Sequence, residues 1–121
     1  MNGKTYDRFT TKGKVLVIKC WFIRCVACLK EFPELNKLVD KYKDRNDMLF
    51  ISLAIDSKQD LISFLNTKEF KYAVVPDKEK CITAYPTHIL IDKNGKIVKV
   101  VNGIDDLIPF IEKQAEKLLV E

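Results

Sequence analysis

Val15 to Phe22 is an almost unbroken apolar run, Val-Leu-Val-Ile-Lys-Cys-Trp-Phe, interrupted only by Lys19. It is too continuous for a strand with one wet face, so it reads as a central strand covered on both sides. A cysteine pair, Cys25-Val-Ala-Cys28, follows it. Beyond that pair, Cys28, Leu29, Phe32, Leu35, Leu38, Val39 and Tyr42 recur at intervals of three and four. That spacing predicts an amphipathic helix starting near Cys25. Pro33 lies inside the pattern, removes one backbone donor and crowds the carbonyl four residues back, so a kink is expected there. A buried strand entering a helix through a turn that carries Cys-x-x-Cys restricts the chain to an α/β arrangement and points to a redox dithiol.

The remaining elements fit around this unit. Met48 to Ile55 is a second buried strand. Asp56 or Ser57 can cap a helix over Lys58 to Asn66. Tyr72 to Val75 is a short strand stopped by Pro76-Asp77, and Lys78 to Tyr85 is poorly patterned. Thr87 to Asp92 and Ile97 to Val101 are strands joined at Lys93-Asn94-Gly95-Lys96, a hairpin turn by its Asn-Gly. Asp105 caps a last helix whose inner side carries Leu107, Ile108, Phe110, Ile111, Ala115, Leu118 and Leu119. The order β-α-β-α-β then β-β-α implies parallel strands first and an antiparallel pair later. A central mixed sheet with helices on both faces follows.

The 121 residues suit one domain, with residues 1–13 a polar, partly irregular lead-in. The formal charge of +4 is scattered along helices and turns, which argues against a nucleic-acid partner. No apolar run reaches the roughly 18–20 residues of a membrane span, so direct membrane insertion of this chain is not expected. Met1 to Lys14 is polar and lacks the apolar region of a signal peptide. Four cysteines in a chain this long do not make a disulfide scaffold. Cys20 reads as a small core residue.

A dithiol exchanger needs one accessible, ionisable cysteine and a second within bonding reach. Cys25, near the helix N-cap, meets unpaired backbone donors and the positive helix end, which should bring its thiol below the free value of about 8.5. Cys28, one turn in and shielded, is the resolving thiol. A zinc knuckle would need two more ligands at a second close spacing, and the chain has one histidine, His88, and no second Cys-x-x-Cys. Two inert core cysteines are the other alternative.

Trp21, Cys25, Cys28, Glu31 and Pro33, together with Tyr85-Pro86-Thr87 and Asp92-Lys-Asn-Gly95, resemble the pattern of the TlpA/ResA-like thiol–disulfide oxidoreductases of the thioredoxin superfamily. The resemblance runs from about Val15 to Leu119. It implies a thioredoxin fold with Pro86 cis, lying against the dithiol. Trp21, Arg24, Tyr85 and Pro86 would then form the substrate-binding surface, with the Tyr85 backbone offering strand-like contacts. Cys25, Cys28 and Glu31 would be the catalytic set, Glu31 resembling an acid that takes a proton from the resolving thiol or raises its pKa. Taken alone, Glu31 reads as a solvated helix residue. No cofactor or metal is implied. Partners would be protein disulfides or dithiols and a membrane electron donor, the location extracytoplasmic or periplasmic, the direction reductive and the state monomeric.

Four features depart from that pattern. Arg24 stands where the family usually has Trp. Lys19 stands where thioredoxins bury an acid and closer relatives often have Asn. A lysine there either pairs with Glu31 beneath the dithiol, modulating it, or extends to the sheet edge. The Lys78–Tyr85 segment, with Cys81, is shorter than the family's, as is the N-terminal region, which suits a domain cut from a longer protein. The competing class is a non-catalytic thioredoxin-fold binding or sensory module. A peroxide-reducing thiol enzyme fits less well, because no proline closely precedes Cys25.

Overall fold

The computed structural model describes residues 11–78, 85–102 and 105–121. Most of the polar lead-in and Cys81 lie outside the described residues. The elements are β1 (Val15–Trp21), α1 (Val26–Lys30), α2 (Phe32–Lys41), β2 (Met48–Ala54), α3 (Lys58–Leu65), β3 (Ala73–Val75), β4 (Thr87–Ile91), β5 (Ile97–Asn102) and α4 (Leu107–Leu119). The sheet order is β3-β2-β1-β4-β5. β1, β2 and β3 are parallel, and β4 runs antiparallel to both β1 and β5. This is the mixed sheet expected from helical crossovers followed by a hairpin. At the hairpin Gly95 adopts φ 82°, and the Asp92 carboxylate accepts the backbone N–H groups of Asn94 and Lys96, each at 2.9 Å.

β1 is central, so its alternate residues settle the core. Val15, Val17 and Trp21 face one side and are completely buried. Buried residues from all four helices, among them Cys28, Leu35, Leu61 and Ile111, gather in the same cluster. Lys19 shares that side. Leu16 and Cys20 point to the opposite side and are buried there too.

Two expectations need correction. The single helix bent at Pro33 is instead two helices that meet at Glu31, with Pro33 in the first turn of α2. A proline is tolerated in a first turn, where its missing N–H has no intrahelical acceptor to lose. The bend therefore falls just before the proline rather than at it. At α4 the residue before the helix is Asp106, not Asp105; its φ of 60° is left-handed and its side chain makes no capping bond. At α3, of the two candidate caps, Ser57 takes the role, its Oγ accepting the Asp60 N–H at 3.2 Å.

An aromatic group sits where β1 meets α2. Phe32 and Phe70 stack with centroids 3.9 Å apart, Trp21 lies edge-on to both, and Tyr72 stacks on Phe70 at 4.8 Å. Phe70 bridges these rings from the segment between α3 and β3. Truncating a buried Phe removes its transfer energy and leaves a cavity, so Phe70→Ala is expected to cost about 3–5 kcal/mol in urea unfolding. An exposed-loop cost below about 1 kcal/mol would show that Phe70 does not join this core.

Candidate dithiol site

The turn from β1 into α1 is held by two backbone contacts. The Cys25 N–H donates to the Phe22 carbonyl at 3.0 Å, and the Ile23 N–H donates to the Asp56 carboxylate at 2.9 Å. Asp56, free of capping duty, thus ties the end of β2 to the approach to the cysteines. Cys25 is the N-cap of α1, and its Sγ accepts the Cys28 N–H at 3.2 Å. Cys25 and Cys28 are joined in a disulfide with Cα atoms 5.2 Å apart. Cys28 is completely buried and Cys25 is 7% exposed, a narrower opening than an accessible nucleophile led us to expect. In the bonded form its sulfur lies over the first turn of α1. Beside it, Arg24 and Val26 are exposed.

Under this turn lies a buried charged cluster. Register places Lys19 of β1 between Ser52 of β2 and His88 of β4. Lys19 and His88 are 0% and 1% exposed. The Lys19 ammonium donates to Glu31 Oε1 at 2.6 Å and to the Cys28 carbonyl at 2.9 Å. It also lies 5.3 Å from the centroid of the Phe32 ring and 6.0 Å from that of Phe70. An ammonium has three donors, so two are bonded and a flank is left against aromatic faces. Of the two fates open to Lys19, the structure shows the pairing with Glu31. His88 Nε2 lies 2.9 Å from the same Glu31 oxygen.

The break between helices makes this convergence possible. Glu31 caps the end of α1, its N–H shared between the Cys28 carbonyl, at 3.3 Å, and the Leu29 carbonyl. The Cys28 carbonyl therefore accepts from both Glu31 N–H and Lys19. Glu31 is only 17% exposed, which replaces the solvated-residue alternative.

Burial shifts each member. Desolvation pulls the Lys19 ammonium below its ordinary value, against the opposing hydrogen bond and charge of Glu31. For Glu31 desolvation alone would raise the carboxyl, but hydrogen bonds and charge from His88 and Lys19 outweigh it and hold the group below the usual glutamate range. Burial, then the Glu31 charge, drives the Tyr72 hydroxyl well above its ordinary range.

The other anticipated site residues divide. The Tyr85–Pro86 bond is cis. Tyr85 is half-buried, its ring edge-on to Phe22 at 5.1 Å, and Pro86 is buried. Trp21 is a correction: it is 0% exposed among Phe32, Phe64 and Phe70, so it is a core residue and not part of a substrate surface. As the last residue of β1 it shares the inward face of Val17 and Lys19, and its large apolar area is satisfied there. His88, Asp56 and Phe70 were not anticipated as part of the site. His88 had a signal: it sits two residues past Pro86, at the same strand parity as Leu90, on a strand whose other residues are Thr, Ile and Leu.

A mixed five-stranded sheet with a Cys-x-x-Cys disulfide at the N-terminus of the helix after its central strand, and a cis proline leading into the neighbouring strand, defines the thioredoxin class. Within it, the chain belongs to the Redoxin family, whose pattern matches residues 1–119, and it is of the ResA-like type. It is 33% identical over 109 residues to the thiol-disulfide oxidoreductase ResA of Bacillus thuringiensis strain Al Hakam, covering 85% of this chain and 63% of that protein. The chain thus spans a little under two thirds of that relative's length. Among solved structures, it resembles the thioredoxin domain of a thiol-disulfide oxidoreductase from Bacteroides vulgatus, with 28% identity, TM-score 0.73, and coverage of 87% of this chain and 81% of that one. It also resembles the pneumococcal exposed lipoprotein thioredoxin Etrx1 of Streptococcus pneumoniae, with 26% identity, TM-score 0.75 and 93% of each chain covered.

The two halves of the ion pair are not equivalent. Glu31→Leu leaves a fully buried ammonium without a counter-charge and is expected to cost about 3–5 kcal/mol, whereas Lys19→Met leaves Glu31 with His88 and partial solvent and costs less. Urea unfolding at neutral pH reads both, and equal costs would contradict the asymmetry. Because the folded Glu31 carboxyl lies below its unfolded value, its stabilisation is present above about pH 4.3 and is lost as pH falls through the folded value. The stability gap between wild type and Glu31→Gln should therefore close on acidification. A gap that widens toward acid would contradict the sign.

Proposed function

We propose that this chain is a thiol–disulfide oxidoreductase that reduces protein disulfides through Cys25 and Cys28. The observation that carries the reading is the Cys25–Cys28 disulfide at the start of α1, set directly over the Lys19–Glu31–His88 cluster. Its relatives' printed names, thiol-disulfide oxidoreductase and thioredoxin, support it.

In the reduced state Cys25, at the helix N-terminus and the more exposed of the two, is the nucleophile. Its thiolate attacks one sulfur of a substrate disulfide, a mixed disulfide forms, and the first substrate sulfur leaves as a thiolate. Cys28 then loses its proton and attacks Cys25 Sγ. The second substrate sulfur leaves, and the Cys25–Cys28 disulfide closes. Two electrons pass to the substrate, whose two sulfurs end as thiols. Glu31, held ionised three residues beyond Cys28, is the acceptor for the Cys28 proton. Lys19 modulates the pair by fixing Glu31 and the Cys28 carbonyl.

Tyr85 and cis Pro86 form the far wall of the substrate surface, with Arg24 exposed on the near side and suited to acidic segments. No organic cofactor or metal enters these steps. We assign the chain one thioredoxin-like domain, a monomeric state and an extracytoplasmic location, the last supported by a structural relative described as an exposed lipoprotein. A membrane electron donor is the proposed source of the electrons; among the described residues no helix is long and apolar enough to cross a membrane.

A second reading, a non-catalytic module that keeps a structural disulfide, draws on the 7% exposure of Cys25. Insulin reduction by dithiothreitol separates the two. The wild type should accelerate insulin precipitation, Cys25→Ser should abolish the acceleration, and Cys28→Ser should accumulate a mixed disulfide. Turnover no faster than dithiothreitol alone would defeat the enzyme reading.

A further inference from the structure

Two donors from different strands converge on one oxygen of Glu31. Lys19 of β1 and His88 of β4 both reach Oε1, at 2.6 and 2.9 Å. Glu31 Oε2 has no hydrogen bond among the described residues. We propose that His88 is a positioning residue for the resolving half of the exchange: with Lys19 it pins Glu31 Oε1, so that Oε2 stays presented as the base for the Cys28 thiol. This rests on the oxidoreductase reading above and assigns a residue that acts through Glu31 rather than on sulfur.

An ionised carboxylate only accepts hydrogen bonds. Glu31 is held ionised, so the contact at 2.9 Å requires His88 to carry its proton on Nε2 and donate it. One donor leaves a carboxylate free to turn and bridge through either oxygen. Two donors on the same oxygen, each from a buried strand, fix its rotation. Lys19 also donates to the Cys28 carbonyl, so the base and the residue it serves are held on one ammonium. Lys19 from β1 and His88 from β4 bond this carboxylate, the Tyr72 hydroxyl ahead of β3 feels its charge, and Lys30, Glu34 and Asp106 share its cleft; Val101, opposite His88 on β5, brings no charge. Glu31 also lines an open cleft of about 390 Å³ between Lys30, Glu34 and the start of α4 at Asp106–Pro109. The accepted proton can leave to solvent by that cleft, away from the substrate.

The reduced protein with 5,5′-dithiobis(2-nitrobenzoate) resolves the two steps. Cys25 attacks the reagent and releases one thionitrobenzoate. Cys28 then gives its proton to Glu31, attacks Cys25 Sγ and releases the second. His88→Leu removes the donor, and His88→Gln keeps an N–H donor of comparable reach.

The expected result is a second phase slowed about tenfold or more in His88→Leu, within the contribution of a positioned base, with the first phase unchanged and His88→Gln recovering most of the loss. An unchanged second phase in His88→Leu overturns the proposal. So does an equal slowing in both variants, which would trace the effect to packing. If His88→Leu does not fold, the wild type still decides. Its single imidazole should show the Nε2–H form in long-range ¹H–¹⁵N spectra, and an Nδ1–H form with bare Nε2 overturns the proposal. Failure of the wild type to release the first thionitrobenzoate would instead count against the oxidoreductase reading.

Discussion

The Lys19 ammonium, bonded at once to Glu31 and to the Cys28 carbonyl, is the interaction on which the rest of the site depends. A fully buried lysine is costly unless its charge is met by a counter-ion and its donors by acceptors. Here both demands are met at the junction of α1 and α2. The counter-ion can reach the lysine because the helix breaks at Glu31. At the break the Cys28 carbonyl accepts both the Glu31 N–H and the ammonium.

The same contacts join three separate stretches of chain. β1 supplies Lys19, the helix junction supplies Glu31 and Cys28, and β4 supplies His88 two residues beyond the cis proline. A hydrogen-bonded chain from His88 through Glu31 and Lys19 to the Cys28 carbonyl therefore runs beneath the dithiol. Around it, Phe32, Phe70 and Trp21 exclude water, which strengthens each polar contact they enclose and raises the cost of leaving one unmade.

Much of this was legible in the sequence. The apolar run through Trp21, the period of α2, the Asn94-Gly95 hairpin and the cysteine spacing each fix a local structure, and together they lead to the mixed sheet. The pairing of Lys19 with Glu31 was one of two readings, because a lysine on a strand can also reach the edge; only the position of the helix break decides between them. Strand parity with Leu90 marks His88 as inward-facing, but its partners come from the register of β4 against β1, which local patterns do not encode. Trp21 misled for a related reason. Its motif places it next to the cysteines along the chain, but strand parity turns its ring into the core.

On the function proposed above, Cys25 and Cys28 are a working reductant and not a structural staple. The most direct test is the reduction potential of the pair, from equilibration against glutathione or dithiothreitol with the single Trp21 fluorescence or thiol alkylation as the readout. Reversible exchange is expected, with a potential toward the reducing end of the thioredoxin-like scale, at about −270 mV. A disulfide that neither reagent opens, or a potential near the about −120 mV of a strong oxidant, would contradict that function.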